Sequence, residues 1–334
     1  MQLLFLLFLY LQVTLCKPYE CTSSPSVADK IVACNFVEIP DLEKCQSTEE
    51  VVIDKDYRQI PTQIGLLTNL NSLSFFNSRG TVPSSIVCLT KLTYLSFSSI
   101  KGMKGTIPSS IGSLTRLRHL DFSYCKLTGS IPSSIGSLTC LEYLDIRFNQ
   151  FIGSIPSTIG SLTRLEYLGA SYNKLTGSIP SSIGALTSLY DLQLHNNQLT
   201  GTIPSSIGSL SGLMYLYLRN NLLAGTIPPS IASMTNLYQI QFRNNQLSGT
   251  IPLSIGSLTT LKFLHLQYNQ LSGTLPSSIG LLTQLSRVSV FSNPMTGPVP
   301  SKLCSIKRLK VIVDCDAINC DCCVGPSKDK KCPE

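Results

Sequence analysis

The chain contains no tryptophan, only three histidines, and 13% charged residues in a length of 334. The shortage of charge argues against a nucleic-acid binder. The formal charge of +7 is scattered along the chain and forms no basic stripe. No GxxxxGK phosphate loop and no kinase signature occurs. No Asn is followed two places on by Ser or Thr, so N-glycans are not expected. Beyond Cys16 no apolar run approaches the roughly 20 residues of a membrane helix. The tail VGPSKDKKCPE is polar, which excludes a lipid-anchor signal there.

What is present is a repeat. The stretch from Leu189 to Gly212, LYDLQLHNNQLTGTIPSSIGSLSG, recurs in steps of 24. Asn149, Asn173, Asn197, Asn221, Asn245, Asn269 and Asn293 share one position, and Pro108 to Pro300 share another. Such a period marks a solenoid, in which each copy buries its apolar side against its neighbours. Leu192 and Leu194 are two apart and point to one face of a strand over 191–195, while Asp191, Gln193 and His195 take the other. Stacked copies make a parallel sheet. An Asn buried in the stack needs partners, since an unsatisfied amide costs about 1–3 kcal/mol. The Asn column therefore bonds backbone groups that leave the sheet. Strand cores at Val51, Leu73, Leu95, Leu120, Leu144, Leu168, Leu192, Leu216, Ile240, Leu264, Val288 and Ile312 imply twelve coils.

The pattern LxxLxLxxNxLxGxIPxxIGxLxx resembles the plant-type leucine-rich repeat, over about residues 51–312. The resemblance implies a right-handed, curved leucine-rich repeat solenoid with a concave parallel β-sheet. It also implies a short second sheet from LxGxIP, 3₁₀ turns on the convex face, and cysteine-stapled caps. The plan is similar to the polygalacturonase-inhibiting proteins and to the ectodomains of leucine-rich repeat receptors. One departure stands out: the plant cap usually carries a Trp, and none is here.

The domain reading follows. Residues 1–16, MQLLFLLFLYLQVTLC, suit a secretory signal peptide. Residues 17–50 break the period and form an N-terminal cysteine cap. Repeats occupy 51–300, and 301–334 hold a C-terminal repeat and cap. Behind a signal peptide, the clusters Cys21, Cys34, Cys45, Cys88 and Cys304, Cys315, Cys320, Cys322, Cys323, Cys332 read as disulfide staples rather than a metal site. Cys125 sits in the Asn column and Cys140 nine residues before Asn149. These are opposite strand ends, roughly 20 Å apart, and so too far to be bonded to each other.

Function is expected on the concave face. The alternation places Tyr143, Arg147, Tyr167, His195, Tyr215, Tyr217, Arg219, Arg243, Phe263 and His265 there, and aromatic and Arg side chains are enriched at binding hot spots. The expected partner is an extracellular protein or polysaccharide of the cell wall or matrix. No nucleic acid, no cofactor, no metal and no membrane span after signal cleavage are expected. Catalysis is not expected either: the three histidines stand three coils apart, roughly 14 Å, so no two share a metal or a proton. The alternative surface is a grid of outward hydroxyls on the second sheet, such as Thr200 and Thr202 or Ser248 and Thr250, of the kind that could bind ice.

Overall fold

The structure, a computed structural model, describes residues 49–54, 58–60, 62–318, 320 and 322–326. The expected signal peptide, nearly all of the N-terminal cap, and Cys21, Cys34, Cys45 and Cys332 lie outside the described residues. Twelve parallel strands follow chain order in one long sheet, and the architecture is a leucine-rich repeat solenoid. The chain divides into two compact units, Met1–Tyr167 and Leu168–Glu334.

In the first unit the strands Glu50–Asp54, Ser72–Phe76, Tyr94–Ser96, His119–Asp121 and Tyr143–Asp145 pair in the register Val51, Leu73, Leu95, Leu120, Leu144. These apolar residues are buried. Two positions on, the inward residues are Phe75, Phe97 and Phe122, stacked at 4.6 and 5.2 Å. The strand Tyr167–Gly169 spans the unit boundary.

In the second unit Leu192, Leu216, Ile240, Leu264, Val288 and Val311 are in register. The regular strand is shorter than the expected 191–195, covering Asp191–Gln193. Ladder bonds nevertheless continue through Leu194 N–H to Tyr217 O (2.9 Å) and Asn196 N–H to Arg219 O (3.0 Å).

The last strand corrects the expectation by one residue: Val311, not Ile312, faces Val288. A turn of α-helix at Ser301–Cys304 stands where other coils have a 3₁₀ turn, and the approach to the strand is one residue shorter. Val324 then covers the sheet edge, donating to Val311 O at 2.9 Å and accepting from Val313 N–H at 3.1 Å. An edge paired in this way cannot template another chain.

The Asn column does what burial demands. The Asn221 amide donates to Leu194 O and Leu218 O, both at 3.0 Å, and accepts from Leu199 N–H at 3.0 Å. One side chain thus closes the bend of its own coil and ties it at two points to the coil before. Cys125, in the same column, donates its Sγ–H to Phe97 O at 3.1 Å.

After the Asn the chain turns back through Pro204, whose carbonyl accepts from Ile207 N–H to open the 3₁₀ turn Ser205–Ser209. Gly208 is required there, because a Cβ would lie 2.4 Å from Ser230 O of the next coil. The second sheet is broken into short pieces such as Lys126–Leu127 and Gln246–Gly249. It stops before the Ile-Pro step instead of running through it, since Pro has no N–H to donate.

Disulfides join Cys304 to Cys322 and Cys320 to Cys323. Cys88, Cys140 and Cys315 are also disulfide-bonded. Cys140 was not among the expected staples. Cys125 is a buried free thiol, so it is not linked to Cys140.

Candidate functional site

The open face of the long sheet differs between the units. In the first unit the rings of Tyr94, His119, Tyr143 and Tyr167 form one continuous stack. Their centroids are 4.3, 4.3 and 4.6 Å apart, with planes within 10°. The spacing follows from the fold: these residues are register partners, and strand spacing of about 4.8 Å brings flat rings into contact. Beside the stack, Asp145 is only 1% exposed. Arg147 grips it through Nε (3.0 Å) and Nη2 (2.7 Å), and the Arg147 N–H adds a third bond at 3.0 Å. The Arg147 guanidinium also lies 5.5 Å from the Tyr167 ring centre. Its charge is satisfied internally. Asp121, one coil earlier, is held above the usual carboxylate range by burial, against the N–H of Ser123. Burial keeps His119 neutral, lowering it to about 4.

The second unit is built differently. Between residues 168 and 300 it has one carboxylate, Asp191, against Lys174, Arg219, Arg243, Lys262 and Arg287. Arg219 and Arg243 occupy the same place in successive coils. Neither forms an ion pair with an acid among the described residues. Arg243 is pushed below the usual guanidinium value by burial and then by the charge of Arg219.

Alongside the arginines runs an amide ladder. Asn244 donates to Asn220 (2.6 Å), which donates to Asn196 (2.5 Å). All three take φ of 55–56°, a left-handed conformation that Asn tolerates. At the other strand ends, Tyr215 lies 5.8 Å from Tyr238, which lies 5.7 Å from Phe263. Lys262 Nζ sits 5.0 Å over Tyr238. Burial raises Tyr217 to about 12, and its hydroxyl donates to Gln239 at 3.0 Å. Burial, reinforced by Arg287 and Arg243, lowers His265 to about 4.

Eight of the ten sequence-derived residues are half-buried on this face. Tyr143 and Arg147 are in the first unit; Tyr215, Tyr217, Arg219, Arg243, Phe263 and His265 are in the second. The other two are buried. Tyr167 is 7% exposed, beneath Tyr143 and Arg147, and His195 is 6% exposed, edge-on to Tyr172 and Tyr217. They pack rather than present a surface. Sequence reasoning missed Tyr190 (42% exposed) and Met214 (39% exposed), which share a column with Tyr238. Their step of 24 was readable, but the column precedes the strand and falls outside its alternation.

Among the described residues, the Sγ atoms of Cys304, Cys320 and Cys322 lie within 4.8 Å of one another. All three are tied in disulfides, leaving no thiolate for a metal. No helix of the described residues is long and apolar enough to cross a membrane.

Comparison with known proteins fits this geometry. Leucine-rich repeat family models match residues 108–199, 187–247 and 260–282. A comparison with curated protein sequences finds no match. Among solved structures, a plant peptide hormone receptor, RGFR1 in complex with RGF2, is 30% identical with a TM-score of 0.66. The match covers 84% of this chain and 53% of the receptor. The ectodomain of the Arabidopsis receptor kinase HAESA, in complex with an IDA peptide hormone, is 28% identical with a TM-score of 0.76, covering 87% of this chain and 51% of the receptor. A plant ice-binding protein is 27% identical with a TM-score of 0.60, covering 84% and 82%. The chain spans about half the length of the two receptor ectodomains. With the register, the Asn column and the 3₁₀ turns in place, the chain is a leucine-rich repeat protein of the plant type.

Proposed function

We propose that the protein is a secreted recognition module. It holds an extracellular protein or peptide on the open face of its long sheet and performs no catalysis. It captures that ligand as a hydrolase inhibitor or a receptor-like decoy. The observation that carries the reading is the pair Arg219 and Arg243. Two like charges side by side, partly desolvated and without a carboxylate partner among the described residues, are a cost to the folded chain that an anionic ligand would offset. Tyr190, Tyr215, Tyr238 and Phe263 supply the apolar contact area of a hot spot. The peptide complexes of the similar receptors support a peptide over a polysaccharide. Capture from an extracellular fraction by wild type, by Arg219→Ala/Arg243→Ala and by Tyr143→Ala/Tyr167→Ala/Tyr215→Ala tests it. A partner held by wild type and lost by both variants supports the reading. A partner held equally by all three rejects it.

A second reading rests on the other side of the coil. Thr202, Thr226, Thr250 and Thr274 are all exposed, and each sets its methyl against the glycine of the next coil. A Cβ at Gly225, Gly249, Gly273 or Gly297 would lie 2.7–3.0 Å from that methyl. One rotamer therefore points four hydroxyls the same way, a regular rank suited to ice. The structural likeness to a plant ice-binding protein supports it. Ice recrystallisation inhibition that Thr226→Lys/Thr250→Lys abolishes would establish this reading, and no inhibition by wild type would remove it.

A further inference from the structure

Arg219 and Arg243 are not all of the positive charge on the open face of the second unit. Arg287 stands on the same face, two strands beyond Arg243 and at the opposite strand end. The register sets the distance between them. Gln241 pairs with His265, and His265 pairs with Ser289. Arg243 is two residues past Gln241, and Arg287 is two residues before Ser289. His265 is therefore the midpoint, one strand and two residues from each arginine. At about 4.8 Å per strand and 3.3 Å per residue, the arginine Cα atoms are about 16 Å apart. The electrostatics agree with this placement: after burial, the charges of Arg287 and Arg243 are what lower His265, so both reach the same ring.

No acid faces Arg287 from either neighbouring strand. Its register partners are Phe263 and Lys310, and like charges facing each other across a strand pair are destabilising. Arg287 is exposed, and its Nε lies 3.5 Å from Ser289 Oγ. It forms no ion pair with an acid among the described residues. The face thus carries two cationic places, Arg219 with Arg243 at one strand end and Arg287 at the other, with a neutral imidazole between them.

We infer that the ligand is an extended peptide segment with two acidic side chains, one held by Arg219 and Arg243 and the other by Arg287; this rests on the recognition reading proposed above. Each carboxylate accepts from the N–H fork of a guanidinium. In an extended chain, residues four apart lie on one side and about 13 Å from each other. The long side chains of glutamate and arginine span the remainder. Adjacent acids point to opposite sides and do not serve both places at once. A single acid meets one place and leaves the other charge uncompensated. Once the first carboxylate is held, the second is tethered at a high effective concentration, which selects the pair over the single acid.

The test uses the full chain with its disulfides intact and three peptides as probes. Each is acetylated and amidated, so no terminal carboxylate takes part. EGSGE places two acids four residues apart, GSEEG places them side by side at the same charge, and EGSGQ keeps one. Titration calorimetry is expected to show EGSGE binding about tenfold more tightly than either of the others. Arg287→Gln should bring EGSGE down to the level of EGSGQ, a loss of about tenfold. Lys174→Gln, the same change of charge on the second sheet, should leave EGSGE within about twofold. The His265 ring, followed by proton NMR, should titrate at higher pH with EGSGE bound than with EGSGQ, because both arginines are then compensated. Equal binding of EGSGE and GSEEG overturns the assignment, as does an advantage of EGSGE that survives Arg287→Gln or is lost equally in Lys174→Gln. Tighter binding of a uronic-acid trisaccharide than of EGSGE also overturns it, by making the ligand an acidic glycan. If EGSGE has no advantage but every probe still needs Arg219 and Arg243, the recognition face stands and only the second contact is removed. If the probes and the captured partner are indifferent to Arg219→Ala/Arg243→Ala, the recognition reading itself falls.

Discussion

The two units share one backbone rule and differ in what they lay on it. In the first, the open face is closed on itself: rings stack on rings, and Asp145 is held by Arg147. In the second, Arg219 and Arg243 pair with no acid among the described residues, and the side-chain amides of Asn244, Asn220 and Asn196 form a chain of hydrogen bonds beside them. Inward positions and the Asn column fix the coil, and they are nearly the same in both. Outward positions are free, so the same coil carries a self-satisfied face in one place and an unsatisfied one in another. Within a strand, alternate residues turn to the core and to the open face.

The comparison can be broken most forcefully at Asp145. Asp145→Ala leaves Arg147 half-buried without a counter-ion and should lower the unfolding free energy by about 3 kcal/mol. Urea denaturation measures it, and adding Arg147→Leu should recover most of the loss.

A smaller effect sharpens the contrast within the Asn column. Asn221→Ala orphans one N–H and two carbonyls and should cost about 2 kcal/mol, whereas Cys125→Ala in the first unit gives up a single weak thiol bond and should cost about 1 kcal/mol. Equal costs would show that the amide does not tie the coils.

Acid should act on both units alike. Burial lowers His119 and His265 to about 4 from 6.5, so on acidification the unfolded chain takes up these protons first. Their contribution is fully present above pH 6.5 and is lost as pH falls towards 4. It is about 1 kcal/mol per ring after allowing for solvent screening of half-buried groups. His119→Phe and His265→Phe should each flatten the fall in melting temperature between pH 6.5 and 4.

The smallest stability effect is Arg243→Ala, which removes a like-charge neighbour. It should leave stability unchanged or raised by about 0.5 kcal/mol, while anionic ligand binding falls about tenfold. Loss of stability would mean that the arginine packs rather than waits for a ligand.

Much of this was legible in the sequence because the period is strict. LxxLxL placed Leu192 and Leu194 inward, and the recurrence of Asn221 at fixed spacing announced the bonded column. The strand alternation put Arg219 and Arg243 on the open face. What it could not give depends on neighbours a coil away. Tyr167 and His195 have the outward parity of a binding residue but are covered by rings and a guanidinium from the coils beside them. Tyr190, Met214 and Tyr238 lie outside the strand, where parity says nothing. The one-residue shift at Val311 comes from an α-helical turn that the degenerate last repeat does not signal.

The central claim is that recognition resides on the open face and that its unpaired arginines select the ligand. The most direct measurement is capture of extracellular partners by the disulfide-intact protein, with wild type set against Arg219→Ala/Arg243→Ala under identical salt. The account predicts a partner retained by wild type, released by added salt, and absent from the double variant. A partner retained equally by both, and indifferent to salt, would contradict it.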